Sequence, residues 1–261
     1  MKPSVLINRV YFVWAVVIFV IPIPLILLMH VVSRLLKNHS RLRFIYKVHR
    51  IWIKWWELMT GIHFRVHHHD RVDQNQAYIF VCNHSNMLDI PFVGSCIMHP
   101  WKSLVKRELL RIPFVGWIIG QISIPVNRSD KESRKKSLLN MIRELKSGVS
   151  VLIFPEGTRN RTKEPLKRFY PGAFSVAISA QVPIMPIILS ETRPLQPIDT
   201  IEFYPGKGHM TFLDPISTEG YTEKDVPVLM EKVRKTMYDA LVELDPQFQS
   251  IKEGGGNGIE V

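Results

Sequence analysis

Short apolar runs alternating with helix-period segments after Gly61 predict an α/β domain with a mixed, largely parallel sheet flanked by helices. Two of these runs, AYIFVC and VSVLIF, are nearly continuous in apolar residues, as strands covered on both faces are. The first 60 residues differ in character. An uncharged stretch is followed there by cations interleaved with aromatics, which predicts an N-terminal apolar/amphipathic helical membrane anchor. The 261 residues therefore divide into a membrane-associating helical segment (1–60), an α/β domain (61–250) and a flexible, glycine-rich tail (251–261).

From Val10 to Val32 no residue is charged, and this run exceeds the roughly 20 apolar residues that a spanning helix needs. Pro22 and Pro24 break it near its middle, so a kinked span, a re-entrant pair of half-helices and an interfacial helix all fit. Phe44–Met59 mixes Tyr46, Trp52, Trp55 and Trp56 with Lys47, Arg50 and Lys54, a pattern suited to the headgroup layer. Ala77–Cys82 is a buried strand. Met87–Met98 is a helix with Asn86 as N-cap and Asp89 three residues on. Lys102–Val105 is a weaker strand, and Glu108–Ile119 a helix interrupted near Pro113 and Gly116. Ile122–Val126 is a strand, Ser129–Lys146 a polar helix that Gly148 stops, and Val149–Phe154 the clearest strand of all. Pro171–Ala180 opens as a helix on a proline, and Ile184–Leu189 is apolar and extended. Ile201–Tyr204 and His209–Leu213, joined by PGKG, predict an edge hairpin. Val226–Leu244 is an amphipathic helix.

The formal net charge is +11, and residues 1–60 carry nine Lys/Arg against Glu57 alone. Most of the excess thus lies beside the apolar run, which points to an anionic membrane surface as partner and away from nucleic acid. Cys82 and Cys96 stand in aliphatic surroundings and imply no disulfide framework, consistent with a reducing, cytoplasm-facing location.

Two short segments are equipped for chemistry. In Asn83-His84-Ser85-Asn86-Met87-Leu88-Asp89, His84 and Asp89 would lie about 140° apart on one continuous helix and could not meet. With a turn between them, a carboxylate in the first helical turn reaches back to one imidazole nitrogen. That fixes the tautomer and leaves the other nitrogen to take a proton. The bland reading of the same segment is a capping carboxylate and an uninvolved loop histidine. The second segment, Phe154-Pro155-Glu156-Gly157-Thr158-Arg159, follows the clearest strand. Gly157 allows close approach of the backbone to a ligand, Thr158 supplies a hydroxyl and Arg159 a planar fork for phosphate, with Arg161, Lys163, Lys167 and Arg168 behind. It lacks the lysine and spacing of a nucleotide-binding phosphate loop.

Taken together, His84 and Asp89 in an HxxxxD element and Glu156 in FPEGTR resemble the glycerolipid acyltransferase family, specifically the PlsC-type 1-acylglycerol-3-phosphate acyltransferases. Gly120–Arg128 resembles a second block of that family, Val182–Ile187 a fourth, and Lys106–Trp117 is similar to its intervening segment; the likeness covers about residues 75–190. It implies that His84 is the base and Asp89 its support, that Arg128, Glu156, Gly157, Thr158 and Arg159 bind the acceptor phosphate, and that Pro183 lies on the acyl-donor side. Ser123 and Pro125 stand where bulkier apolar residues are usual in the second block.

The reaction so implied is acylation of lysophosphatidate at its sn-2 hydroxyl to phosphatidate, from acyl-CoA or acyl carrier protein, with no cofactor and no metal. Backbone N–H groups near the helix N-terminus after Asn83 would hold the oxyanion. Acylation of glycerol 3-phosphate or another lysophospholipid fits the same residues, and a non-catalytic lipid-binding scaffold is a reading of a different class. Cys82, closing an apolar strand, is expected to be buried and inert. His63, His67, His68, His69 and Asp70 alternate faces on an extended segment and read as exposed chain. Trp101 and Trp117 suit either an acyl tunnel or the core.

Overall fold

The computed structural model describes residues 3–127, 130–198 and 200–254. The apolar run forms α1 (Pro3–Val20) and α2 (Ile23–Val32), separated by a turn at Ile21 and Pro22. Pro24 sits in the first turn of α2, where its missing N–H costs nothing. The stretch Leu6–Leu35 is long and apolar enough to cross a membrane, and Val10, Val13, Leu25 and Leu28 are exposed.

The following helix, α3 (Asn38–Thr60), does not lay its aromatics in a headgroup layer as its composition suggested. Tyr46 and Trp56 are buried in the core, and the indole N–H groups of Trp52 and Trp56 donate to the carbonyls of Phe19 (3.1 Å) and Ala15 (2.9 Å) on α1. An indole carries one donor on a large apolar body, so it satisfies its polar atom while filling the space between two helices.

The domain then runs β1 (Ile62–His67), β2 (Ile79–Cys82), α4 (Asp89–Cys96), β3 (Trp101–Lys106), α5 (Val115–Gln121), β4 (Ser123–Val126), α6 (Lys131–Lys146) and β5 (Ser150–Ile153). It continues with α7 (Gly172–Ala180), β6 (Ile184–Ser190), the short α8 (Thr192–Leu195), β7 (Gly206–Phe212), α9 (Val226–Leu244) and α10 (Gln249–Gly254). The strands form one sheet in the order β1-β7-β6-β2-β5-β3-β4, parallel throughout except for the antiparallel β6–β7 pair. This is the mixed, largely parallel architecture that the alternating pattern predicts.

β2, β5 and β6 are buried along their whole length because helices cover both faces. Tyr78, Phe80 and Cys82 of the central strand region face a core shared with Trp56, Phe92 and Phe212. Ile79 and Val81 face the other, with Val151, Phe174, Leu229 and Met237. Each large apolar side chain so buried is worth about 1.5–3 kcal/mol.

Several boundaries differ from the sequence reading, each for a local reason. The hairpin is absent: Ile201–Tyr204 is not extended into a strand, and β7 starts inside the PGKG segment. Both edges of β7 are already taken, by β1 in parallel and β6 in antiparallel register, so no site is left for a hairpin partner. The helix predicted from Met87 begins at Asp89, and Asn86 is not its N-cap; its side-chain oxygen accepts from Leu88 N at 2.9 Å in a turn instead. Glu108–Ile119 splits into a 3₁₀ turn, Arg107–Arg111, and α5 at Pro113, as its prolines and glycines foretell. α6 starts one residue after Asp130, whose carboxylate accepts from Glu132 N. At the C-terminus α10 carries helix through Gly254, into what reads in sequence as tail, and the remaining tail residues lie outside the described chain.

Candidate active site

The parallel strands β2 and β5 are neighbours, so the segments that follow them emerge side by side at one edge of the sheet. The first turn begins with Asn83, which is buried. Its side chain donates to Leu189 O at 2.8 Å and accepts from Leu189 N at 2.7 Å, extending the β2–β6 ladder by one rung. The chain then turns sharply, which is the condition the sequence sets for His84 and Asp89 to meet.

They do meet: His84 Nδ1 lies 2.8 Å from Asp89 Oδ2. The same oxygen accepts from Ser85 N at 2.5 Å and Asn86 N at 2.9 Å, and Asp89 is wholly buried in the first turn of α4. Three donors and a helix N-terminus hold that carboxylate in one rotamer. With Nδ1 thus engaged, Nε2 is the ring nitrogen left for substrate. The ring stacks on Phe154 with centroids 4.3 Å apart, which prevents it from swinging away.

Glu156 sits elsewhere than a phosphate ligand should. It is buried, with Oε1 accepting from His84 N at 3.0 Å and Oε2 from Lys167 N at 2.9 Å. Burial raises its carboxyl above the ordinary range, while the two N–H donors, His84 and Lys167 pull it back down. The carboxylate staples the loop after β5 to the backbone of His84. Asn160 adds a second staple, its N–H donating to His84 O at 2.6 Å.

Gly157, Thr158 and Arg159 line a cavity of about 970 Å³ together with His84, Arg161 and Lys167. Gly157 has φ +72°, a left-handed conformation that favours glycine. Lys167 Nζ donates to Thr158 Oγ1 at 2.7 Å, so a cation and a hydroxyl sit together on this wall. The rest of the cavity is mostly apolar and includes Phe19 and Ile23 of the N-terminal helices, Trp52 and Ile53 of α3, and Ile118. Trp101 lines it, and Trp117 does not.

Of the remaining predicted residues, one falls outside the described chain and one lies apart from this constellation. Arg128 falls outside the described residues. Pro183 precedes β6, and its carbonyl accepts from Ile79 N at the start of β2. It therefore stands at the opposite end of the sheet from His84, away from the cavity wall. The expected oxyanion donors are also occupied. The N–H groups of His84, Ser85, Asn86, Met87 and Leu88 are bonded to Glu156, Asp89, Asp89, Gln196 and Asn86 in turn. Cys82 is buried as expected; burial pushes its thiol well above the ordinary value, and the carboxylates of Asp89 and Glu156 push it further.

With the geometry in place, comparison with known proteins is informative. The family model Acyltransferase matches residues 63–190. Against 1-acyl-sn-glycerol-3-phosphate acyltransferase alpha of Homo sapiens the chain is 31% identical over 220 residues, covering 81% of itself and 77% of that protein. The chain belongs to the glycerolipid acyltransferase family. The 1-acyl-sn-glycerol-3-phosphate acyltransferase of Haemophilus influenzae is 34% identical over 189 residues, 70% of this chain and 77% of the other. The crystal structure of PlsC, a 1-acyl-sn-glycerophosphate acyltransferase from Thermotoga maritima, has the same fold. Its TM-score is 0.77 at 22% identity, over 92% of this chain and 96% of that one. The chain is thus an acyl-transferring enzyme.

Several supporting residues escaped the sequence reading. Asn86 Nδ2 donates to Thr192 O and Met87 N to Gln196 Oε1, so the turn after β2 is pinned by the segment after β6. Arg193 is buried with its guanidinium 5.1 Å over the Phe248 ring. Burial lowers its pKa, and the carboxylates of Asp245, Glu156 and Asp89 oppose that. One cation therefore stands behind the two buried active-site acids.

The staple at Glu156 has a testable consequence. Glu156→Gln presents an amide NH₂ to one of two N–H donors, losing a charge-assisted bond worth about 1.5–3 kcal/mol of stability. The base shifts with its backbone, and kcat falls by roughly 10²-fold, as for a misplacement near 1 Å. Steady-state rates and urea unfolding measure both; an unchanged kcat would leave Glu156 a purely structural residue.

Proposed function

We propose that this enzyme is a 1-acylglycerol-3-phosphate O-acyltransferase, moving a fatty acyl group from acyl-CoA or acyl carrier protein to the sn-2 hydroxyl of lysophosphatidate to form phosphatidate. The observation that carries this reading is a base with one nitrogen locked by a buried carboxylate, set in a cavity that is cationic at one end and apolar over the rest. An acceptor with a phosphate and an acyl chain matches both ends. The phosphate is held by Arg159 and the Gly157–Thr158 turn, with Arg161 and Lys167 near and Arg128 completing the set.

The acceptor O–H gives its proton to His84 Nε2 as its oxygen bonds to the thioester carbonyl carbon. The resulting imidazolium is stabilised by Asp89. Because the backbone donors after Asn83 are engaged, the oxyanion is met from the facing wall. The Thr158 hydroxyl, whose oxygen accepts from Lys167, is there to donate. The C–S bond then breaks and the imidazolium returns its proton to the departing thiolate. Every group in this sequence belongs to the chain or its two substrates, so no cofactor or metal enters it.

We place the enzyme on a membrane through α1 and α2, with the cavity at the cytoplasmic face. The basic run from Lys37 to Lys54 follows the apolar helices and suits an anionic leaflet.

Thiol release from a long-chain acyl-CoA, with and without lysophosphatidate, tests the reaction directly. Release only with acceptor supports it. Absence of release with either acyl-CoA or acyl carrier protein, across lysolipid acceptors, removes it. Arg159→Ala should raise KM for lysophosphatidate by roughly 10–100-fold, the loss of a charge-assisted bond, with kcat little changed. A phosphate-free monoacylglycerol should not distinguish the variant from the parent, and equal discrimination against both acceptors would take Arg159 out of the phosphate site.

A further inference from the structure

The cavity has a wall that the reaction leaves unexplained. Between β3 and α5 the chain runs through the 3₁₀ turn Arg107–Arg111 to Phe114, and its apolar side chains point outward: Leu109 is 40% exposed, Ile112 44% and Phe114 66%. Phe114 also has φ +58°, an unfavourable backbone for a residue with a bulky side chain. The segment is nevertheless packed tightly against α5. At Gly116 a Cβ would come within 2.3 Å of Leu110 O, so α5 is seated directly on the turn and holds it out as a wedge.

Among the described residues nothing covers this wedge, but its surroundings say what does. Phe114 and Trp117 share a shallow apolar depression of about 320 Å³ with Leu27, Leu28 and Val31 of α2, so the exposed face is continuous with that of the N-terminal helices. Exposed cations ring it: Lys106, Arg107 and Arg111 stand against Glu108 alone, and the Arg34 guanidinium lies 5.4 Å over Trp117. An apolar tip with a basic collar, contiguous with a membrane-anchoring face, fits an anionic bilayer surface.

We propose that Arg107–Phe114 is a second membrane-inserting element, dipping Ile112 and Phe114 into the same leaflet as α1–α2, with Arg107 and Arg111 at the lipid phosphates. Leu109 of this segment, and Val115, Ile118 and Ile119 of the adjoining α5, line the catalytic cavity. Insertion therefore makes the cavity wall continuous with the acyl layer, and a lysolipid reaches His84 laterally without its chain crossing water. This inference rests on the reading of α1–α2 as the anchor.

Site-directed labels separate the two ideas. Cys82 and Cys96 are buried, so a fluorophore on Phe114→Cys, Ile112→Cys, Leu28→Cys or Leu139→Cys of the full chain reports one place. Leu139 is exposed on α6 and sets the baseline. On phosphatidylcholine–phosphatidylglycerol vesicles with brominated acyl chains, quenching is expected at 28, 112 and 114 well above that at 139. Quenching at 28 with 112 and 114 at baseline overturns the wedge and leaves the anchor standing; baseline values at all three overturn both. In addition, the Ile112→Glu, Phe114→Glu double variant should acylate vesicle-borne lysophosphatidate about tenfold more slowly or worse, yet match the parent in detergent micelles. Equal rates on vesicles would also overturn the proposal.

Discussion

His84→Ala is expected to lower kcat/KM for acceptor-dependent thiol release by roughly 10²–10⁴-fold, the range spanned by a positioned general base. The fall should appear in kcat, because the groups assigned to the phosphate lie on Gly157–Arg159 and keep their places. Misfolding does not account for it. The backbone of residue 84 is held by Glu156 at its N–H and by Asn160 at its carbonyl, and alanine retains both bonds. The stack on Phe154 and the Nδ1 contact to Asp89 are lost, while Asp89 Oδ2 keeps its Ser85 and Asn86 N–H donors. A variant whose thermal midpoint matches the parent and whose rate is reduced by less than about tenfold would remove His84 as the base.

The pairing of His84 with Asp89 was legible in the sequence because it is local. His84 and Asp89 are five residues apart, and the single condition for their meeting, a turn between a strand and a helix, could be inferred from an apolar run ending at Cys82. Glu156 was legible as a site residue and not as the staple it forms. Its role depends on His84 N and Lys167 N, whose approach is a property of adjacent parallel strands and the loop after β5. Asn83, Asn86 and Met87 reach Leu189, Thr192 and Gln196, more than a hundred residues on, and no local pattern announces those bonds.

The fold divides in the same way. β2, β5 and β6 are predominantly apolar runs and declared themselves. β1 alternates Ile62, Phe64 and Val66 with His63, Arg65 and His67, and its polar half drew attention as exposed chain. α3 carried a membrane-interface composition, but tertiary packing took its aromatics inward, because Trp56 finds both a cavity to fill and a carbonyl to bond on α1.

Asp89→Asn should prove as damaging as loss of the base, with kcat falling on the order of 10⁴-fold, the upper end of the range expected for His84→Ala and the scale of the corresponding carboxamide change in a Ser-His-Asp enzyme. Three features of the buried carboxylate lead there. Asp89 Oδ2 faces three donors, so an amide must turn its carbonyl oxygen to that side. Its NH₂ then occupies the place of Asp89 Oδ1, a buried atom with no hydrogen-bond partner, and an unsatisfied buried donor costs about 1–3 kcal/mol. The opposite rotamer sets NH₂ against the imidazole and rewards the tautomer protonated on Nε2, which cannot accept the substrate proton. In either orientation the negative charge that stabilises the imidazolium is gone, and the buried Arg193 loses one of its opposing acids. Because both residues serve one proton transfer, the His84→Ala, Asp89→Asn double variant should be no slower than His84→Ala alone. Two losses that multiplied would show Asp89 acting by some route other than the imidazole, as a residue that only holds the turn at Ser85 and Asn86 would.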